Sequence, residues 1–194
     1  MRREFPLFEV HPLRPFVPDN ARVLLLGSFP PPHARWSMEF FYPNFQNDMW
    51  RIMGQLFYGD KEHFVVQGQK RFDYEKVVDF CRRVGIALYD AAYMVKRLRG
   101  NASDNFLKII EPTDIQSLLS SIPSCGAVVS TGGKSAEQIA GILGVPVPAV
   151  GGSVPFTVPA KTAGVLRFYR MPSSSRAYPM PLDRKAAAYA SVLL

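Results

Sequence analysis

Residues 22–33 read RVLLLGSFPPPH. A short apolar run without polar alternation marks a strand buried on both faces. The run stops at Gly27 and empties into a stiff turn of three prolines, flanked by Phe29, His33, Arg35 and Trp36. Such a turn is either a plain strand exit or the rigid wall of a binding site.

Three more runs of the same kind follow: GIALYD (85–90), GAVVST (126–131) and VLRFYRM (165–171). Helical patterns lie between them. NDMWRIMGQLF (47–57) places Met49, Ile52, Met53 and Leu56 on one face, with Asn47 at the N-cap. VVDFCRRVG (77–85) is a helix closed by Gly85, and GGKSAEQIAGILG (132–144) is one ended by Gly144. NASDNFLKII (101–110), TDIQSLLSSI (113–122) and DRKAAAYASVLL (183–194) also read as helices. Short apolar strands alternating with helices predict an α/β fold, a three-layer sandwich about a central four-stranded parallel sheet. Residues 145–164, rich in Pro, Gly and Val, predict an irregular or edge excursion. Residues 1–20 carry four prolines and predict an extended arm on one domain spanning residues 1–194.

The composition narrows the class. The chain has 194 residues, 47% hydrophobic and 20% charged, which suits one globular core and excludes a disordered protein. Lys and Arg outnumber Asp and Glu by 23 to 16, a net charge of +7. A basic balance favours anionic partners, nucleic acid first. The two cysteines, Cys81 and Cys125, cannot hold an iron–sulfur cluster or a four-cysteine zinc site. No segment approaches the ~18 apolar residues of a membrane span, and the N-terminus lacks the apolar centre of a signal peptide. A reduced, cytoplasmic, monomeric protein without membrane, metal or cofactor is expected.

In open parallel sheets, ligands bind beyond the carboxyl ends of the strands. There the sequence places GSFPPPH, Asp90, TGGKS and MPSSSRAYP. Their hydroxyls, backbone N–H groups and cations suit phosphates. Ser28, Pro30, His33, Arg35, Lys134, Ser135, Ser173, Ser174, Ser175, Arg176 and Tyr178 are therefore expected to face DNA. Phe29, Trp36, Phe41, Tyr42 and Tyr178 offer surfaces for stacking bases. GGKS (132–135) mimics the end of a triphosphate-binding loop, but that loop needs glycine where Val128 stands.

Two of these turns, in order, resemble the signature motifs of the uracil-DNA glycosylase superfamily. LLLGSFPPP is similar to its first motif, and MPSSSR (171–176) to its Pro-Ser loop. Between them, FFYPNFQNDMWRIMG (40–54) and GIALYD resemble the deoxyinosine (hypoxanthine) glycosylase branch. The resemblance spans roughly residues 20 to 190. It implies an enzyme that flips a deaminated base, uracil or hypoxanthine, out of DNA and hydrolyses its N-glycosidic bond without metal or cofactor. It places Asn47, or its neighbours Asp48 and Asn44, as the water-positioning group; Asn47 is equally a helix cap. It places Phe41 or Tyr42 on the flipped base, with Phe29 in the pocket wall, and Asp90 at the base-reading position. Asp90 either reads a ring N–H or caps the next segment. Ser173, Ser174 and Ser175 would grip phosphate, and Arg176 or Tyr178 would fill the gap the base leaves. Two positions depart from the pattern. Phe29 stands where many members carry a catalytic Asp or Asn, and Met171 where several carry His or Asn. These departures suit a second possibility, a nucleic-acid-binding member without catalysis.

Overall fold

The structure is a computed structural model and describes residues 8–98, 107–159 and 164–194. Its main sheet contains Val23–Gly27 (β2), Ile86–Asp90 (β3), Ala127–Ser130 (β6), Leu166–Arg170 (β8) and Ser153–Phe156 (β7), in the order β3-β2-β6-β8-β7. The first four are the strands expected from the apolar runs, and neighbours among them pair in parallel. Every residue of β2 and β3 is buried, so both faces of the sheet are covered there.

The sheet is nevertheless five-stranded and mixed, not the expected four-stranded parallel one. β7 joins the edge antiparallel to β8. The link from Phe156 to Leu166 is too short for a parallel crossover, which takes a dozen residues or more. Pro155 lies in this edge strand, where a missing N–H is tolerated. β7 is the edge excursion expected within residues 145–164.

A second correction concerns NASDNFLKII. Leu107–Pro112 is a strand (β5), antiparallel to Ala92–Arg97 (β4); residues 101–106 lie outside the described residues. Leu107 is buried, Ile109 half-buried, and Lys108 and Ile110 exposed, a period of two that a helix cannot satisfy. Glu9–Val10 (β1) completes a small sheet, β1-β4-β5. Its buried face, Ala92, Val95 and Leu107, packs on Phe29.

The helices are Met49–Tyr58 (α1), Tyr74–Val84 (α2), Ile115–Ser120 (α3), Gly133–Leu143 (α4) and Leu182–Leu193 (α5). Met49, Trp50, Ile52 and Met53 bury the inner face of α1, which packs against α5. Gly85, at φ +79°, ends α2 in the left-handed conformation that glycine adopts without strain.

Chain order runs from β2 outward to β3, then back across β2 to β6 and β8. Connections therefore diverge at the carboxyl ends of β2 and β6, the kind of switch point where a crevice opens.

Candidate active site

A cavity of about 570 Å³ occupies that crevice, within the roughly 300–1,000 Å³ usual for ligand sites. Its wall includes Gly27 and Ser28 after β2, Asp90 at the end of β3, and Thr131 and Gly132 after β6. Residues 173–177, beyond β8, close another side, and the loop 40–47 a third.

α1 fastens the 40–47 loop with its own first turn. Trp50 Nε1 donates to the Phe41 carbonyl at 3.1 Å, and Arg51 Nη1 to the Phe45 carbonyl at 2.9 Å. Arg51 also lies over the Phe45 ring, 4.4 Å from its centroid. Within this loop Tyr42 holds φ +51°, a left-handed conformation rare for a bulky residue. The surroundings hold it there: its ring meets Trp50 edge-on and its hydroxyl hydrogen-bonds Thr131 Oγ1 at 3.0 Å. Burial, and then the nearby Asp90 carboxylate, push the Tyr42 phenol well above its ordinary pKa. It stays a neutral hydroxyl.

Asp90 lies buried on the cavity floor. Its Oδ2 is 2.8 Å from His11 Nε2. Its Oδ1 crosses directly over Gly27, where an added Cβ would stand only 2.3 Å away. Glycine is thus required at the end of β2 so that the carboxylate can lie across it. His11 sits behind Asp90 with its side chain wholly buried. Sequence reasoning missed this residue, since an arm histidine carries no local signal of a partner 79 positions away.

Asn47 also lines the cavity. Its Oδ1 accepts from the Met49 N–H at 2.9 Å, but the N-cap of α1 is Asp48 and not the expected Asn47, because the first helical bond, from the Ile52 N–H, ends on the Asp48 carbonyl. The bond to Met49 fixes the Asn47 side chain and leaves its amide N–H groups for an occupant. Asp48 is placed differently. It is not among the cavity-lining residues, and its two oxygens accept from Arg176 Nε at 3.2 Å and Lys185 Nζ at 3.1 Å. Lys185 is 1% exposed and also donates to the Ser175 carbonyl at 2.8 Å. With the Asp48 N–H on the Ser174 carbonyl, this network ties the 40–48 loop to the 172–178 loop. A signal for Lys185 exists in the sequence: it falls on the apolar stripe of α5 with Leu182, Ala186, Tyr189 and Leu193.

The other expected residues divide as follows. Phe29, Phe41, Ser28, Pro30, Arg35, Ser135, Ser173, Ser174, Ser175, Arg176 and Asn44 line the cavity. Phe29 does so while buried mainly under the small sheet. Arg35 and Arg176 are exposed, and the Ser135 hydroxyl is spent on the Gly132 carbonyl. His33, Lys134 and Tyr178 are not part of the lining; His33 instead pairs with Glu39 and packs on Trp36. Met171 is buried, its N–H bonded to the Ser130 carbonyl.

No protein-family model matches this chain, and no curated protein does. Among solved structures, it is similar to a solution NMR structure from Methanosarcina acetivorans described as "a putative Uracil DNA glycosylase". The TM-score is 0.61 over 93% of each chain, at 20% sequence identity. At that identity the likeness is one of fold.

Proposed function

We propose that the cavity receives a deaminated base flipped out of DNA and that the protein hydrolyses its N-glycosidic bond. One observation carries the reading: Asp90, Asn47, Phe41 and Tyr42 line a single cavity at the sheet's switch point, with Arg35 and Arg176 exposed around it. The fold likeness to a structure described as a glycosylase supports it.

Each group has work that its chemistry suits. Phe41 and Tyr42 present apolar surface to a base. Asp90 Oδ1 accepts the ring N–H of uracil or hypoxanthine. Asn47, held by its bond to the Met49 N–H, orients a water toward C1′. The water oxygen bonds to C1′, the C1′–N bond breaks with its electron pair going to the departing base, and the proton shed by the water balances the one the base takes up from solvent. Fixed dipoles around the oxocarbenium-like transition state supply stabilisation without reorganising. Arg35, Arg176 and Ser173–Ser175 hold flanking phosphates. Arg176 is anchored through Nε on Asp48, which leaves its outer N–H groups for DNA. The DNA-bound protein works as a monomer without metal or cofactor, inside the cell.

The test is incubation with duplexes carrying uracil, hypoxanthine, xanthine or a thymine mismatch, followed by alkali. Strand scission at the altered base supports the reading. A second reading, binding without hydrolysis, is favoured by Phe29 and the buried Met171, which place no polar group at two motif positions. It predicts salt-sensitive DNA binding with every duplex left intact.

A further inference from the structure

We propose that His11 is a specificity-positioning residue: its Nε2 holds Asp90 so that the cavity always meets an unprotonated acceptor oxygen. The inference rests on the base-pocket reading of the cavity and goes beyond it, since nothing so far gives the N-terminal arm a part in recognition.

The geometry leaves His11 little choice. Its ring lies 4.5 Å from the Tyr89 ring and 6.1 Å from Phe41, and meets Phe29 edge-on at 5.4 Å. The arm that carries it is pinned on both sides. The His11 N–H donates to the Tyr93 carbonyl, and Arg97 Nε holds both oxygens of Glu9. Further along, Phe16 bridges Leu88 of β3.

The Nδ1 side of the ring meets both a donor and an acceptor: the Leu13 N–H at 3.1 Å and the Leu13 carbonyl at 2.9 Å. A neutral ring protonated at Nε2 accepts the Leu13 N–H; a charged ring donates to the Leu13 carbonyl. In both states a proton lies between Nε2 and Asp90 Oδ2. Oδ1, which lies over Gly27, itself part of the cavity wall, is left without one. It can therefore accept a hydrogen bond and cannot donate.

The chemical consequence is selection by one ring position. Uracil and hypoxanthine carry N–H where cytosine and adenine carry a lone pair. An acceptor held at Oδ1 welcomes the first pair and repels the second, so the deaminated base is told from its parent. Without His11 nothing fixes Oδ2, the carboxylate can rotate Oδ1 away from its place over Gly27, and that distinction weakens.

Binding to non-hydrolysable 2′-fluoroarabino duplexes isolates this effect. The test base stands opposite an abasic position, so pairing does not interfere. Uracil is compared with 2-pyrimidinone, and hypoxanthine with purine; each analogue has a lone pair in place of the ring N–H. The wild-type chain should prefer the N–H base of at least one pair roughly ten- to hundredfold, the range of one charge-assisted hydrogen bond. His11→Leu should reduce that ratio to about threefold or less. His11→Gln, whose Nε2 amide N–H can take the place of the ring Nε2–H toward Oδ2, should restore most of it, which a purely structural histidine would not require. If His11→Leu does not fold, Asp90→Asn carries the test. His11 Nε2–H then takes the amide oxygen, the amide N–H faces the cavity, and the preference turns toward the lone-pair analogue. A wild-type chain without preference in either pair overturns the proposal. So does His11→Leu with the ratio intact, or Asp90→Asn still favouring the N–H base. Ordinary deoxyribose duplexes assayed in parallel report on hydrolysis separately: intact strands with the preference present sink the enzyme and leave the role of His11 standing.

Discussion

Gly27→Ala is the smallest change that should disturb the site. The added Cβ falls 2.3 Å from Asp90 Oδ1 and 3.5 Å from its Cγ. Ordinary contact is about 3.5 Å, so the oxygen must withdraw by about 1 Å. A free side chain would do so at little cost. This one is held at 2.8 Å by a buried histidine whose own ring is wedged among Phe29, Phe41 and Tyr89. Losing that bond costs about 1–3 kcal/mol, and the remaining overpacking about 1–3 kcal/mol. A total of about 2–6 kcal/mol is expected from urea unfolding, a large share of the 5–15 kcal/mol typical of a domain. The same substitution in an Asp90→Ala background meets no carboxylate and should cost less than about 1 kcal/mol. The double-mutant cycle should therefore show a coupling of about 1 kcal/mol or more. Equal costs in the two backgrounds would refute the reasoning, because the clash would then lie elsewhere.

Other consequences can be checked in the same preparations. Asp48→Ala strands the Lys185 ammonium, buried with only the Ser175 carbonyl to hold it, and should cost about 3–5 kcal/mol; a loss below about 1 kcal/mol would dismiss the network as incidental. Asn47→Ala should cost about 1 kcal/mol for the lost bond to the Met49 N–H but about 100-fold or more in base release, whereas a residue that only braces the loop would leave the rate of the folded protein unchanged. Burial raises Tyr42 and Tyr189 well above the ordinary tyrosine pKa, and Tyr89 up to about 12. In the unfolded chain these phenols ionise near pH 10, so the stability they contribute is complete below that pH and is lost as pH rises toward their folded values. Absorbance at 295 nm should then show part of the eight tyrosines ionising only together with loss of the circular dichroism signal. Reversible ionisation of all of them near pH 10 with the fold intact would contradict this.

Much of the fold was legible because local pattern and global place agree. Apolar runs ending in Gly27, Asp90, Thr131 and Met171 mark four strands of the main sheet, of which β2 and β3 are buried throughout while Arg167 of β8 is exposed, and Asp90 follows from asking what stands at their carboxyl ends. β5 was not legible. Leu107, Ile109 and Ile110 suit either a short helix or a strand, and only the Phe29 ring beneath Leu107 and Ile109 decides the period. The fifth strand of the main sheet follows from the short link after Phe156, which no periodicity encodes. At the site, Asn47, Phe41 and Tyr42, expected from the sequence, do line the cavity. His11 was not, because its meaning arises from a contact across the fold. Asp48 looked like an active carboxylate at a helix start, yet Lys185 and Arg176 occupy it. The lysine in the apolar stripe of α5 was the available warning.

The central claim is that this cavity releases a base from DNA. Chromatographic detection of free base, with the protein in excess over a duplex carrying uracil or hypoxanthine, tests it most directly. Stoichiometric release of at least one of them is expected, with an alkali-labile site left in the strand. DNA bound at low salt, with no base released from either duplex, would contradict it.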